Sequence, residues 1–224
     1  MLLFHKMKTL KIGCDSIDNL LGGGIENSII TKIYGEAGSG KTNFCLQISR
    51  NCVDQGGKVA YIDTECVSLV RLKQMCNDNY NYKKILDNIL FFHPMSFEEQ
   101  EKMISDAINI ADVNLIVVDT INMFYRINIE KDSEGSMRSL ARQVSNLQIA
   151  ARKKALYVIL SEQVYTDKKG EIKPFTNRDT EHMAKTIIKL EKVNVGKRKA
   201  TIIKHRFQQE EINAGFTIGQ TGLL

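Results

Sequence analysis

The sequence predicts a single α/β domain: a mainly parallel twisted sheet flanked by helices, with antiparallel strands added at the C-terminal side. Three observations carry this prediction. Short β-branched runs alternate with segments of helical apolar spacing, the order that builds crossover connections. A glycine-rich stretch, "GEAGSGKT", joins the first strong strand pattern to the first strong helix pattern. The tail beyond residue 185 changes to apolar/polar alternation around a tight turn, as antiparallel strands require.

Taken in order, "NSIITKIYG" is a β-branched run that ends at a glycine and reads as a buried strand. "KTNFCLQISRNCVDQGG" has Phe44, Leu46, Ile48 and Val53 at helical spacing and stops at a glycine pair. "KVAYIDT" is a second strand. "SFEEQEKMISDAINIADV" opens with a capping box, in which Ser96 accepts from the Glu99 amide and Glu99 reaches back. "VNLIVVD" is apolar throughout, as a strand covered on both faces is. "SEGSMRSLARQVSNLQIAARKK" is a long amphipathic helix, and "ALYVILS" is a fourth strand. "KTIIKLEKV", "KRKATIIKHR" and "INAGFTIG" are the antiparallel tail, with "NVGK" turning between the first two.

The chain has 224 residues and 43% hydrophobic content, enough for one sizeable core and too short for two full domains. The expected organisation is one domain over residues 1–224, with residues 1–10 a short lead-in. Lys plus Arg number 31 and Asp plus Glu 26, an excess that permits nucleic-acid binding without demanding it. The five cysteines form no C-x-x-C pair, and the four histidines show no metal spacing. No signal-peptide layout opens the chain, and no apolar run approaches the roughly 18 residues that span a membrane. The expectation is a reduced, cytoplasmic protein with no membrane partner.

"GEAGSGKT", Gly35 to Thr42, fits G-x-x-x-x-G-K-[S/T] in its required context, after a strand and before a helix. Backbone amides from Glu36, Ala37, Gly38, Ser39, Gly40 and Lys41 can point inward at phosphate oxygens, and the helix N-terminus that includes Asn43 adds partial positive charge. Gly38 and Gly40 allow the backbone a conformation and a closeness that side chains would obstruct. Lys41 reaches the β- and γ-phosphates of ATP, and the Thr42 hydroxyl takes a place on Mg²⁺. Asp119 ends an apolar strand, so its carboxylate emerges at the sheet edge where it can hold the metal through water. Glu65, two residues past Asp63, is placed to orient or deprotonate an attacking water. Gln163 follows the fourth strand and can hydrogen-bond a γ-phosphate.

These residues resemble a family. "GCDSIDNLLGGGIENSIITKIYGEAGSGKT" is similar to the segment that opens the ATPase core of RecA/RadA-type recombinases, and "YIDTE", "LIVVD" and "SEQV" follow in that family's order, covering about residues 9–206. The resemblance is nearest to the short archaeal RadA paralogues that lack the helix-hairpin-helix domain. It implies a RecA-like fold, with Lys41 and Thr42 as phosphate and Mg²⁺ residues and Asp119 as the magnesium acid. It implies Glu65 as the catalytic glutamate, Gln163 as the γ-phosphate sensor and Arg71 near the adenine. Arg142 and Gln143 fall after the family's first DNA loop. Departures accompany the likeness. No helix-hairpin-helix domain precedes the core, "FHKM" has Met7 where the family's Phe-x-x-Ala polymerisation motif has alanine, and Glu162 replaces the usual Asn before the sensor.

By the resemblance, "YRINIEKDSEGSMR" is the first DNA loop, with Arg126, Lys131 and Arg138 as contacts. The segment between Val164 and His182 is the second, with Lys168, Lys169, Lys173 and Arg178, and with Tyr165 and Phe175 for base stacking. Lys204 and Arg206, two apart on a strand, match a Lys-x-Arg that reaches a neighbouring subunit's ATP in related hexameric ATPases. The implied role is an ATP- and DNA-binding accessory protein of recombination and repair with weak hydrolysis. Its implied partners are single-stranded DNA, a RadA-like recombinase, a Holliday-junction resolvase and other copies of itself. Two alternatives stay open: a strand-exchange recombinase that forms its own filament, and a KaiC-like signalling ATPase that does not act on DNA.

Overall fold

The computed structural model describes residues 8–76, 79–167, 172–175 and 178–224; the side chains of residues 79, 80, 178 and 179 lie outside this description. The chain opens with β1 (Thr9–Leu10), α1 (Asp15–Leu20) and β2 (Ile25–Glu26), followed by β3 (Ile30–Tyr34) and α2 (Lys41–Asp54). Next come β4 (Lys58–Asp63), α3 (Leu69–Gln74), α4 (Asn79–Asp87), β5 (Ile89–Phe92) and α5 (Phe97–Asn109). Then follow β6 (Val113–Asp119), α6 (Met123–Asn128), α7 (Ser133–Lys154) and β7 (Tyr157–Glu162). The last part holds β8 (Val164–Thr166), β9 (Ile172–Pro174), α8 (Arg178–Met183), β10 (Thr186–Asn194), β11 (Lys197–Lys204), β12 (Asn213–Gly219) and β13 (Gly222–Leu223).

Among the described residues, nine strands form one sheet in the order β13-β12-β11-β10-β3-β7-β6-β4-β5. The six strands from β10 to β5 are parallel, and the tail from β10 to β13 is antiparallel. Alternate side chains leave opposite faces of a strand, so the parallel strands divide their residues between two cores. Ile33, Tyr61, Val117 and Ile159 join Phe44, Leu46 and Ile48 of α2 on one face. Ile30, Ile62, Val118 and Leu160 join Ile104 of α5 and Leu140, Val144 and Leu147 of α7 on the other. Burying each such Leu, Ile or Val contributes roughly 1.5–3 kcal/mol. The expected α/β architecture and its antiparallel tail are therefore present. The carboxyl ends of β3, β7, β6 and β4 lie side by side along one edge.

Helix ends follow the sequence closely. Ser96 Oγ accepts from the Glu99 amide at 3.1 Å, as its capping box predicts. The return bond differs: Glu99 Oε2 accepts from the Met95 amide at 2.8 Å, one residue earlier than expected. Asp132 caps α7 by accepting from the Gly135 amide at 2.9 Å. Arg142 of α7 is ion-paired with Glu101 of α5, and Gln143 is buried and accepts from Gln100 at 2.8 Å. Both residues therefore join helices.

Two expectations need correction. "YRINIEKDSEGSMR" is not an open loop: α6 and the first turns of α7 take all of it except Ile129–Asp132. An N-cap and an Arg138–Glu134 pair one helical turn apart outweigh its loop-like composition. The segment after Gln163 is not an irregular loop either, because β8 and β9 pair antiparallel, with Tyr165 opposite Lys173, and α8 follows.

One pair of charges is inside the core. Lys32 Nζ on β3 lies 2.9 Å from Glu162 Oε1 on β7, and each side chain is 1% exposed. Replacing Lys32 alone by Met removes the charge that faces the buried Glu162 carboxylate and is expected to cost about 3–5 kcal/mol of unfolding free energy. Urea denaturation followed by circular dichroism measures this, and an unchanged midpoint would show that the pair carries no such weight. The surface pair behaves differently. Arg142 holds the Glu101 carboxyl below its usual range, against the opposing effect of burial. Such a depressed group stabilises the fold above its unfolded value of about 4.3 and loses that contribution as pH falls through its folded value. Arg142→Ala is thus expected to cost about 0.2–1 kcal/mol at pH 7 and nothing in strong acid, measured by thermal melts across that range.

Candidate nucleotide site and nucleic-acid interface

β3 ends against a wall. A Cβ on Gly35 would lie 2.1 Å from the Leu190 carbonyl oxygen of β10, so only glycine fits there. The chain then leaves the sheet through Gly38 and Gly40, whose φ values of +73° and +110° are left-handed. Gly40 is the N-cap of α2, which points its free amides back over the loop. Lys41 Nζ donates to the carbonyl oxygens of Gly35 (2.7 Å) and Glu36 (3.2 Å). Burial lowers the Lys41 pKa, and the carboxylates of Glu65 and Asp119 oppose that shift. Ser39 Oγ is buried within this loop with no hydrogen-bond partner among the described residues.

Asp119 ends β6 and is 1% exposed. Tyr61 donates to its Oδ2 at 2.8 Å, Ser161 donates to its Oδ1, and Thr42 is its third hydroxyl partner. Burial nevertheless raises the Asp119 pKa above the ordinary value, because it outweighs the three hydrogen bonds. Tyr61 and Ser161 were not singled out from sequence. Both carried a signal: each is a hydroxyl in an apolar strand, spaced to face the same side as that strand's other inward residues.

Glu65 is held by a turn at the end of β4. Asp63 accepts from the amides of Glu65 (3.1 Å) and Val67 (2.7 Å). Thr64 Oγ1 is locked to the main chain of Thr120, donating to its oxygen at 3.0 Å and accepting from its amide at 2.7 Å. These bonds bring Glu65 beside Asp119's strand end, where Thr120 Oγ1 donates to its carboxylate at 3.3 Å. The Gln163 main chain is clamped by Asn122, with both bonds 2.9 Å long. Its side-chain amide donates to Glu65 and accepts from Arg126. Arg126, Gln163, Glu65 and Thr120 therefore form a continuous hydrogen-bonded row.

A cavity of about 360 Å³ is bounded by Gly35, Lys41, Glu65, Gln163 and the β8–β9 hairpin. A second, of about 420 Å³, opens at the opposite end of the sheet near Gly56, Asn114 and Lys154, and it holds none of the predicted site residues.

Arg71 is beside the same loop. It donates to Asn43 Oδ1 (2.7 Å), Gly219 O (2.7 Å) and Gln220 O (2.9 Å), tying the first turn of α2 to the β12–β13 turn. Two further cations, unmarked in the sequence, reach the loop from the tail. Arg198 donates to Gly38 O at 3.1 Å, and the end of Lys192 would lie about 3.1 Å from a Cβ on Gly38.

The nucleic-acid candidates separate into groups. Arg126 lies over the Phe175 ring, 5.3 Å from its centroid, as well as bonding Gln163. Phe175 is half-buried and meets Tyr165 edge-on at 5.7 Å, while Tyr165 is exposed. Lys131 is exposed in the α6–α7 turn, Arg138 is paired with Glu134, and Lys173 with Asp167. Lys168, Lys169, the Arg178 side chain, Phe4 and Met7 lie outside the described residues.

Lys204 and Arg206 do not share a strand face. β11 ends at Lys204, and Arg206 lies in the turn that follows. Lys204 Nζ donates to the carbonyls of Ala184 (2.9 Å) and Glu181 (3.4 Å) at the end of α8.

The Rad51 family matches residues 5–224. The DNA repair and recombination protein RadB of Methanococcoides burtonii is 41% identical over 227 residues, covering 97% of this chain and 100% of that relative. The RadB of Thermoplasma acidophilum is 35% identical, covering 97% and 94%. A crystal structure of the RadB recombinase superposes with a TM-score of 0.84 at 35% identity, over 96% of this chain and 98% of that one. With a family match over nearly its full length and a fold shared with the RadB structure, the chain belongs to the Rad51 family.

Proposed function

We propose that this protein is an ATP- and DNA-binding accessory factor of homologous recombination and repair that hydrolyses ATP slowly. One observation carries the reading. Lys41, Gln163, Asp119 and Glu65 come from the carboxyl ends of four adjacent strands, and the β8–β9 hairpin lines the same cavity. Ligands of open α/β sheets bind at such ends. The relatives' names, as DNA repair and recombination proteins, support the setting.

The residues present fit a nucleoside triphosphate. The loop disfavours side chains at Gly35, Gly38 and Gly40, and it buries a Ser39 hydroxyl that has no hydrogen-bond partner among the described residues. Lys41 would give its ammonium to phosphate oxygens in place of the loop carbonyls. Thr42 and Asp119, hard oxygen donors already in contact, would hold Mg²⁺, which supplies charge neutralisation across the transferred phosphate. Glu65 would orient the attacking water and take its proton.

Slow turnover has a local reason. The Glu65 carboxylate already accepts from Gln163 and Thr120, so part of its basicity is engaged until Gln163 turns to a phosphate oxygen. That turn would also release Arg126 and disturb the Phe175 end of the hairpin, which links nucleotide state to the basic segment that includes Lys168 and Lys169. The proposed partners are single-stranded DNA, a RadA-like recombinase, a Holliday-junction resolvase and further copies of this chain. Among the described residues no helix is long and apolar enough to cross a membrane.

Two measurements test this reading. Lys41→Ala removes a cation able to make two charge-assisted hydrogen bonds of about 1.5–3 kcal/mol each, so calorimetry should show ATP affinity at least about 100-fold weaker. Undiminished binding would reject the phosphate loop as the site. Replacing Lys168 and Lys169 together by Ala should flatten the slope of log affinity for single-stranded DNA against log salt by about 1.4, near 0.7 per lost phosphate contact. An unchanged slope would remove the second loop from the DNA interface.

A further inference from the structure

Lys32 and Glu162 are placed where a purely structural ion pair has no need to be. Lys32 is three residues before Gly35 on the strand that delivers the phosphate loop, and Glu162 immediately precedes Gln163. In the β3–β7 register Tyr34 faces Glu162 and Lys32 faces Leu160, so the pair reaches diagonally across the ladder. It lies on the face packed by α7, among Ile30, Tyr34 and Leu160. The contact is off-axis: no well-directed hydrogen bond ends on Lys32 Nζ among the described residues. Two apolar side chains of similar volume would fill this space at no electrostatic cost, so stability alone does not account for it.

A third charge extends the pair. Lys204 holds the last carbonyls of α8, the helix that ends the segment beginning at Gln163. Burial lowers the Lys204 pKa most, and the positive charges of Lys185 and Lys32 lower it further. Glu162 thus stands at the root where the segment leaves the sheet, and Lys204 grips it where it returns. If β3 and β7 shifted relative to each other, two buried charges would separate in a low-dielectric interior. That cost makes the two strand ends move together.

We propose that Lys32 and Glu162 are positioning residues that couple the phosphate loop to the segment between Gln163 and α8. This deepens the reading above and rests on it. The pair touches neither nucleotide nor DNA; it acts through the root of Gln163.

The chain has no tryptophan, so Tyr165→Trp on β8 is a single reporter of the hairpin. With this reporter, emission should differ between the ADP-bound and the non-hydrolysable-ATP-analogue-bound protein. In K32M/E162M, which removes both charges, analogue affinity should stay within about threefold while the emission difference falls at least about fivefold, since coupling is lost and not binding. The reversed pair, K32E/E162K, should restore at least about half of the difference. A full parental difference in K32M/E162M would overturn the proposal. So would loss of nucleotide binding in both double variants, which would mark the pair as purely structural. A parental reporter that binds both nucleotides with identical emission would instead reject the nucleotide-driven hairpin itself, and the proposal with it.

Discussion

The molecule is organised by the place where β3 runs out of room. The strand is paired on both sides, and the β10 main chain passes so close to Gly35 that no side chain fits there. The chain must turn out of the sheet, and the glycines that follow let it do so with its amides unpaired by any ladder. α2 then starts at once, adding its own free amides. Within this ring Lys41 donates to the Gly35 and Glu36 carbonyls, and the Ser39 amide donates to Glu36 O. The geometry of one strand end thus gathers donors of the kind an anion could recruit.

Charge around this ring is arranged in two layers. Nearest it, Lys41 and Asp119 are buried ionisable groups whose environment disfavours their charged forms, and each is offset by neighbours: carboxylates for the lysine, three hydroxyls for the aspartate. Beneath them, on the opposite face of the sheet, Lys32 and Glu162 neutralise each other. No charge in either layer is left without an opposite charge or a hydrogen-bond donor close by. Desolvation costs several kcal/mol for a lone ion in a protein interior, so this pairing is what allows so many charges at one sheet edge.

Legibility in the sequence follows the range of the interactions. The phosphate loop is local: eight consecutive residues define it, and strand and helix signals flank it. Asp119 was visible because an apolar strand ends on it. The ranges of α7 and the tail strands were visible from periodicity alone. The β8–β9 hairpin was not, because two three-residue strands of mixed polarity carry no periodic signal. The open loop expected over residues 125–138 came from the family resemblance, whereas a single aspartate cap and one-turn spacing decide the conformation of its second half. Lys32 carries no local signal of its partner, because Glu162 lies on a strand much later in the chain and α7 covers both. Lys192 and Arg198 reach Gly38 through strand register, which no single segment encodes.

The row from Arg126 through Gln163 to Glu65 joins the end of β4 to α6 and the β8–β9 hairpin. A primary amide has an oxygen with two lone pairs and a nitrogen with two N–H donors; Gln163 turns the oxygen to Arg126 and the nitrogen to Glu65. A rotation of that side chain toward a new partner would disturb these contacts. If it displaces Glu65, the carboxylate gains basicity; if it displaces Arg126, a cation is freed beside Phe175 and the hairpin. Because the main chain of Gln163 is clamped by Asn122, the side chain can exchange partners while its root stays fixed. Such an exchange would be a local rotation felt at two places, the Glu65 carboxylate and the Arg126 contact with Phe175.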